Sequence, residues 1–151
     1  MNKALFAGSF DPFTNGHLDI LRQAAEIFDE VIIAIAFNSE KKGFLPVEKR
    51  LGLIIKGVAG LDNVSVDSYE GLTVDYAKKN GVKILVRGVR MPSDFEYEQQ
   101  IASVNQSLAP EIKTVFFTPK PENAFISSTM VREVYQNKGD VSKFVPVVWE
   151  E

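Results

Sequence analysis

The sequence contains no cysteine and a single histidine, His17. The first absence removes disulfides, thiolate catalysis and any cysteine zinc site. The second removes a multi-histidine metal centre, so a divalent ion would have to arrive on a ligand's phosphates. No apolar run comes near the roughly 18 residues needed to cross a bilayer, and no membrane contact is expected. The opening residues lack the basic, then apolar, then small-residue order of a secretory signal, so a cytoplasmic protein is expected. Positive charge is in slight deficit. The formal charge of −3 speaks against nonspecific binding to nucleic acid. There is no Gly-x-x-x-x-Gly-Lys-Ser/Thr and no Gly-x-Gly-x-x-Gly after the first strand, which excludes a P-loop and a dinucleotide fingerprint. A Ser-His-acid arrangement is also missing, because Ser9 and Asp11 lie too near His17 in sequence to make a triad with it. Repeats, low-complexity tracts and Pro/Gly/Ser linkers are absent. The 151 residues are expected to form one domain, residues 1–151.

What the chain does have is a regular alternation of strand and helix signals. Ala4 to Ala7 is an apolar strand. Val31 to Ala36 is a continuous apolar run that suits a parallel strand buried on both faces. Val64-Ser65-Val66, Lys83 to Val86 and Thr114 to Phe117 supply three more strands. Between them fall the helices. The first carries Leu18, Leu21, Ala25 and Phe28. The second begins near Pro46 and keeps Leu51, Ile54, Ile55 and Val58 on one face. A short third helix follows Gly71-Leu72-Thr73 and is closed by Asn80-Gly81. Ser93 to Glu96 reads as a capping box opening a long fourth helix, with Phe95, Tyr97, Ile101, Val104 and Leu108 as its apolar residues; Phe95 and Tyr97 are read as core. The last helix runs through Val131, Val134 and Tyr135. This order predicts an α/β fold, an open five-stranded parallel sheet flanked by helices. Such sheets bind ligands at the carboxyl ends of the strands, where strand order reverses. Ser9 and Phe10, Lys41, Arg87 to Arg90 and Pro119 to Thr129 all fall on that edge.

The residue types there share one chemistry. His17 stands in the first turn of a helix, where unpaired N–H groups and the positive dipole end disfavour a cation. A neutral imidazole there can donate to a phosphate. The same position also suits a structural histidine, and Thr14 or Asn15 can be a plain N-cap. Arg87 and Arg90 flank Gly88-Val89 at the end of a buried strand, with forks that match phosphate; they can equally pair with Asp94, Glu96 or Glu98. Lys41-Lys42 reads either as solvated loop or as charge for the site. Ser127-Ser128-Thr129 either caps a helix or offers donors to an anion at its start. Taken together, arginine, lysine, hydroxyl and neutral histidine make a set of donors that binds phosphates and stabilises charge building on them.

Gly8-Ser9-Phe10-Asp11-Pro12 with Thr14-Asn15-Gly16-His17, then Arg87-Gly88-Val89-Arg90 and Asp94 to Glu98, then Phe125 to Thr129, closely resemble the bacterial phosphopantetheine adenylyltransferases. The likeness runs from about Lys3 to Val145 and lies within the nucleotidyltransferase superfamily marked by Thr/His-x-Gly-His. It implies a Rossmann-like nucleotidyltransferase fold. It also implies transfer of AMP from ATP to 4′-phosphopantetheine by direct in-line displacement, giving dephospho-CoA and pyrophosphate in coenzyme A biosynthesis. Carried over by motif, Ser9, Lys41, Thr73 and Arg87 would hold the pantetheine substrate. Ser9, Phe10, His17, Gly88, Val89, Arg90, Glu98, Asn123, Ala124, Phe125, Ile126, Ser127, Ser128 and Thr129 would form the ATP site. His17 would stabilise the transition state, with Lys41 and Arg90 as further catalytic charges. The resemblance implies no metal site on the protein itself and magnesium carried by the ATP phosphates. It also implies a homo-hexamer, with CoA a candidate further ligand. Ser9 stands where the family usually has threonine and keeps the hydroxyl. Two rivals lie in the same superfamily: a cytidylyltransferase acting on a phosphorylated polyol, and a nicotinate-nucleotide adenylyltransferase, which the Thr14 in place of a first histidine disfavours. The rival outside enzymes is a flavodoxin-like binding module.

Overall fold

The computed structural model describes residues 1–150. Five strands, β1 (Lys3–Gly8), β2 (Glu30–Ala36), β3 (Val64–Tyr69), β4 (Ile84–Gly88) and β5 (Lys113–Phe117), alternate with helices. The helices are α1 (Asn15–Ile27), α2 (Val47–Gly57), α3 (Thr73–Lys79), α4 (Pro92–Leu108) and α5 (Ser128–Gln136). Neighbouring strands are all parallel, in the order β3-β2-β1-β4-β5. The expected five-stranded parallel sheet is therefore present. β1 lies at its centre, and the chain reverses direction across the sheet between β1 and β4, which sets the crevice above their carboxyl ends.

The period-2 alternation of β1 divides the core. Ala4 and Phe6 point to one face, where Ile33, Ile35 and Val86 join Leu18, Leu21 and Ala24 of α1 and Ile54 of α2. Leu5 and Ala7 point to the other, against Ile32, Ala34, Leu85 and the Val74 and Ala77 side of α3. Leu5, Leu21, Ile33 and Ile54 are fully buried, each removing roughly 1.5–3 kcal/mol worth of apolar surface from water. A third apolar cluster lies beside α5. Val141, Val145 and Trp149 of the segment after that helix pack on Leu45, Leu53, Ile126 and Val131.

Two sequence expectations are corrected. Ser93 and Glu96 do not form a capping box. The helix begins at Pro92 with Met91 as the residue before it, and no side chain caps it. Proline supplies the start instead, since its fixed φ suits the first helical position and its missing N–H needs no partner. Phe95 and Tyr97 are not core residues; they are 42% and 63% exposed. Val104 and Leu108 of the same helix are exposed as well, at 59% and 50%, while Ile101 is partly buried. β3 also extends past Val66 to Tyr69, its outer positions being polar. Among the described residues, no helix is long and apolar enough to cross a membrane.

Candidate active site

Above the crevice lies a cleft of about 280 Å³ walled by Gly8 to Phe10 from β1's exit, Gly16 and His17 of α1, Arg87, Gly88 and Arg90 from β4, Asp94, Tyr97 and Glu98 of α4, and Ile126 to Ser128 at the start of α5. Its floor is the first turn of α1. Thr14 caps that helix, its hydroxyl accepting the His17 N–H at 3.2 Å. In return the His17 Nδ1 accepts the Thr14 N–H at 3.0 Å. This is a capping box in which histidine takes the place normally held by glutamate or glutamine. Its chemical consequence is a fixed tautomer: Nδ1 is an acceptor, so the proton sits on Nε2. Gly16 belongs to the same construction. A Cβ there would lie 3.3 Å from the Ile126 carbonyl oxygen, so glycine lets the segment before α5 close onto α1.

The imidazole is held from behind by aromatic rings. Phe10 meets it edge-on at 5.0 Å between centroids and Phe13 stacks at 5.9 Å. Phe10 is 2% exposed and adopts φ +46°, a left-handed backbone that costs a phenylalanine on the order of 1–2 kcal/mol; the burial of its ring offsets that strain. Burial, followed by the charges of Arg87 and Arg90, lowers the His17 pKa to about 3. The sign is that of a depressed base. The unfolded chain takes up a proton below about 6.5 that the native state refuses, so this contribution to stability is full above that pH and is lost as pH falls toward 3. Because His17 is the only histidine, its ring nitrogens can be followed alone by ¹⁵N NMR. The expected spectrum is a neutral, Nε2-protonated imidazole with no inflection between about pH 5 and 8; a midpoint near the ordinary value would refute the lowered pKa, and an Nδ1-protonated neutral ring would refute the tautomer.

Arg87 is built in, not merely near. Its Nε and Nη2 each donate to Glu98 at 2.6 Å, and Nη1 donates to the Ala7 carbonyl. Three of the five guanidinium N–H groups are thereby used, leaving two for an anion. Burial works to lower the arginine's pKa, but the hydrogen bonds and charge of Glu98 outweigh it, so the guanidinium stays charged. The pairing alternative and the phosphate alternative thus coexist in one side chain. Arg90 is held more loosely, its backbone N–H 3.1 Å and its Nε 3.4 Å from the Asp94 carboxylate. Behind Arg87 and Glu98, a second cavity of about 190 Å³ is lined by Leu5, Ala7, Leu85, Ile101 and Ala102, with Thr73 and Asn105 as polar groups. The Thr73 hydroxyl is 2.7 Å from the Tyr69 hydroxyl. On the other side, a broad groove of about 880 Å³ contains Ser9, Lys41, Lys42 and Phe44. Lys41 is exposed there.

Of the residues marked in the sequence, Ser9, Phe10, His17, Arg87, Gly88, Arg90, Glu98, Ile126, Ser127 and Ser128 meet at the cleft. Phe10 contributes backbone, since its ring is turned into the core. Thr73 and Lys41 line the two adjoining cavities. Val89, Asn123, Ala124, Phe125 and Thr129 stand outside the cleft lining, and Phe125 is 60% exposed. The three hydroxyls at α5 divide their work. Ser127 accepts the Met130 N–H as N-cap, Ser128 donates to the Pro12 carbonyl, and Thr129 accepts from Arg132. Other N–H groups of a helix's first turn have no partner within the helix, and such a turn can receive an anion.

Several residues that hold the site carry no local sequence signal. Asp19, 6% exposed, accepts the Lys120 N–H at 2.7 Å, Asn123 at 3.0 Å and Gln23 at 2.9 Å. Burial alone would raise its pKa; these hydrogen bonds and the charge of Lys120 bring it below the usual value. It ties the segment before α5 to α1. Asp11, Arg50 and Arg132 join the loops around Ser9.

The fold matches those of several solved proteins. A bifunctional NMN adenylyltransferase/ADP ribose pyrophosphatase from Francisella tularensis superposes with a TM-score of 0.73 at 21% identity, over 97% of this chain and 45% of that one. The chain therefore spans less than half of that protein. A candidate nicotinate-nucleotide adenylyltransferase from Vibrio parahaemolyticus gives 0.68 at 18% identity, covering 96% and 94% of the two chains. The lipopolysaccharide core biosynthesis protein from Thermoplasma volcanium GSS1 gives 0.58 at 21%, over 80% and 98%. At these identities the likeness is one of fold. Residues 5–134 match the Cytidylyltransferase-like family, which spans both the His17 turn and the start of α5. The chain belongs to the cytidylyltransferase-like family of nucleotidyltransferases.

Proposed function

We propose that the protein transfers AMP from ATP to 4′-phosphopantetheine, releasing pyrophosphate and dephospho-CoA. The observation that carries this reading is the second cavity, which meets the cleft at Arg87. Leu5, Ala7, Leu85, Val86, Ile101 and Ala102 give it an apolar side, and Thr73, Asn105 and Thr114 place polar groups on its wall beyond Arg87 and Glu98. Such a space suits a flexible arm with few polar groups, ending in a phosphate at Arg87's two remaining N–H groups. Lys41 and the exposed Ser9 add donors from the groove side. For the nucleotide side the reading takes His17, Arg90, Gly88, Glu98 and Ile126 to Ser128 of the cleft, and adds Val89, Asn123, Ala124, Phe125 and Thr129 from the sequence resemblance alone.

The chemistry asks little covalent work of the protein. The acceptor phosphate is already an anion at neutral pH, so no strong base is needed. Rate comes from aligning two anions in line and neutralising their repulsion. The Nε2–H of His17 donates to a non-bridging oxygen of the α-phosphate as its charge grows, while arginine and lysine charges hold both reactants. The two cleft carboxylates, Asp94 and Glu98, are taken by Arg90 and Arg87, so the cleft fits an ion that enters on the nucleotide. Magnesium carried by the ATP phosphates would offset their charge.

A pyrophosphate-release assay decides among acceptors. Turnover is expected with ATP and 4′-phosphopantetheine. Turnover only with ATP and nicotinate mononucleotide, or only with CTP and glycerol phosphate, overturns the assignment. We also propose a hexamer. Its support is the set of apolar side chains left exposed along α4 and at its start, Met91, Phe95, Val104 and Leu108, which are between 42% and 59% exposed, together with the open edge of β5. Open edges of this kind are normally covered, and contiguous apolar patches mark interaction sites. Sedimentation velocity giving a monomer at micromolar concentration overturns that assembly.

A further inference from the structure

Outside the cleft lies a buried pair of charges that the chemistry above does not use. Asp11 and Arg50 are 7% and 6% exposed, with Nε and Oδ1 3.8 Å apart. At that separation the two charges attract but make no hydrogen bond to each other, and desolvating both is costly. Their hydrogen bonds show what they hold. The two carboxylate oxygens of Asp11 accept the backbone N–H groups of Phe44 at 2.7 Å and Leu45 at 2.8 Å. Arg50 donates from Nε to the Leu45 carbonyl at 2.9 Å and from Nη1 to the Ser9 carbonyl at 3.0 Å. Each charge thus bridges the same two segments: the turn that carries Ser9 and the loop that carries Lys41.

The fit at this bridge leaves no spare room. A Cβ at Gly43 would lie 2.7 Å from Asp11 Oδ2 and 2.8 Å from Arg50 Nη2. The other end of the loop is anchored too, by the Ser39 N–H on Glu70 at 2.7 Å. Lys41 therefore stands between two fixed points, although its own side chain is exposed. We propose that Asp11 and Arg50 form a lock that sets the Lys41 loop against the Ser9 turn, making both of them positioning residues for the acceptor's phosphate. This rests on the reading of Lys41 and Ser9 as acceptor contacts.

Asparagine at position 11 keeps the shape but has one acceptor oxygen. Its NH₂ group must then face a backbone N–H of Phe44 or Leu45, and the loop comes away. Gly43→Ala breaks the same lock sterically and leaves both charges in place. The test compares both variants with Lys41→Ala. Amide exchange at Phe44 and Leu45 is expected to quicken by about tenfold or more in both variants, with β1 and β2 amides unchanged. The KM for 4′-phosphopantetheine rises about tenfold while that for ATP stays within about twofold. Asp11→Asn added to Lys41→Ala raises the acceptor KM no further, because the lock acts through that lysine. Unchanged exchange overturns the lock. A parallel rise in the ATP KM, or additive effects in the double variant, overturns the positioning role. Wild-type protein that turns over ATP with a different acceptor brings down the functional reading instead, and the exchange result alone then decides the lock.

Discussion

His17→Ala lowers kcat by at least about 10²-fold, the loss expected when one transition-state donor is removed, and changes the KM for ATP little. The size of the effect follows from how the ring is fixed. Thr14 holds Nδ1, Phe10 and Phe13 pack on the ring, and Nε2–H is left facing the cleft with no reorganisation to make. A base role is excluded by the same geometry, since the nitrogen that has a free lone pair is already an acceptor for a backbone N–H. Alanine also leaves the Thr14 N–H without its partner, at about 1 kcal/mol. His17→Gln separates the two losses. Glutamine belongs at this position of a capping box, so it restores the helix start without placing a donor where Nε2 stood. Recovered stability with kcat still depressed is the expected pair of results. A variant with near-normal kcat and only a raised KM would assign His17 to ground-state binding.

Arg87→Ala raises the acceptor KM by about 10²-fold and lowers stability by about 3 kcal/mol. The two effects have separate causes. The first is loss of the two N–H groups left over from Glu98 and Ala7. The second is a stranded carboxylate: the Glu98 side chain is only 9% exposed and loses both hydrogen bonds. The figure sits at the low end for a broken buried pair, because the arginine side chain is 29% exposed and water softens the loss. Lysine does not rescue, since one ammonium cannot span Glu98, Ala7 and a phosphate together. Thermal unfolding and acceptor kinetics check the two halves independently. A variant of unchanged stability and KM would reduce Arg87 to a surface residue.

The central strands were legible because burial on both faces leaves an unbroken apolar run, as in Val31 to Ala36, whereas β3, with its polar outer positions, reads short. The gathering of Ser9, His17, Arg87 and Ser127 was legible from topology, since each follows a strand or starts a helix at the same edge. Thr14 and His17 did carry a local signal, a capping-box spacing, but histidine in the glutamate position hid it. Ser93 and Glu96 had the opposite fault. They match the pattern, yet Pro92 had already started the helix. Phe95 and Tyr97 show a limit of reading residue type: both are aromatic and read as core, yet two positions apart they lie on different sides of the helix and both are exposed. Asp19, Arg50 and Arg132 were beyond reach, because nothing at their own positions marks them, and Asp11, though inside a quoted motif, gave no sign of its partners Phe44 and Leu45.

The central place of β1 bears on how the molecule is made. Its first neighbour, β2, follows after one helix, but its second, β4, is not synthesised until residue 84. During translation the N-terminal strand therefore waits with one edge bare, a template for wrong pairing. β4 closes that edge, and the same strand delivers Arg87 to the cleft. Completing the middle of the sheet thus also brings Arg87 to the cleft, so a half-made chain has neither a protected edge nor a finished cleft.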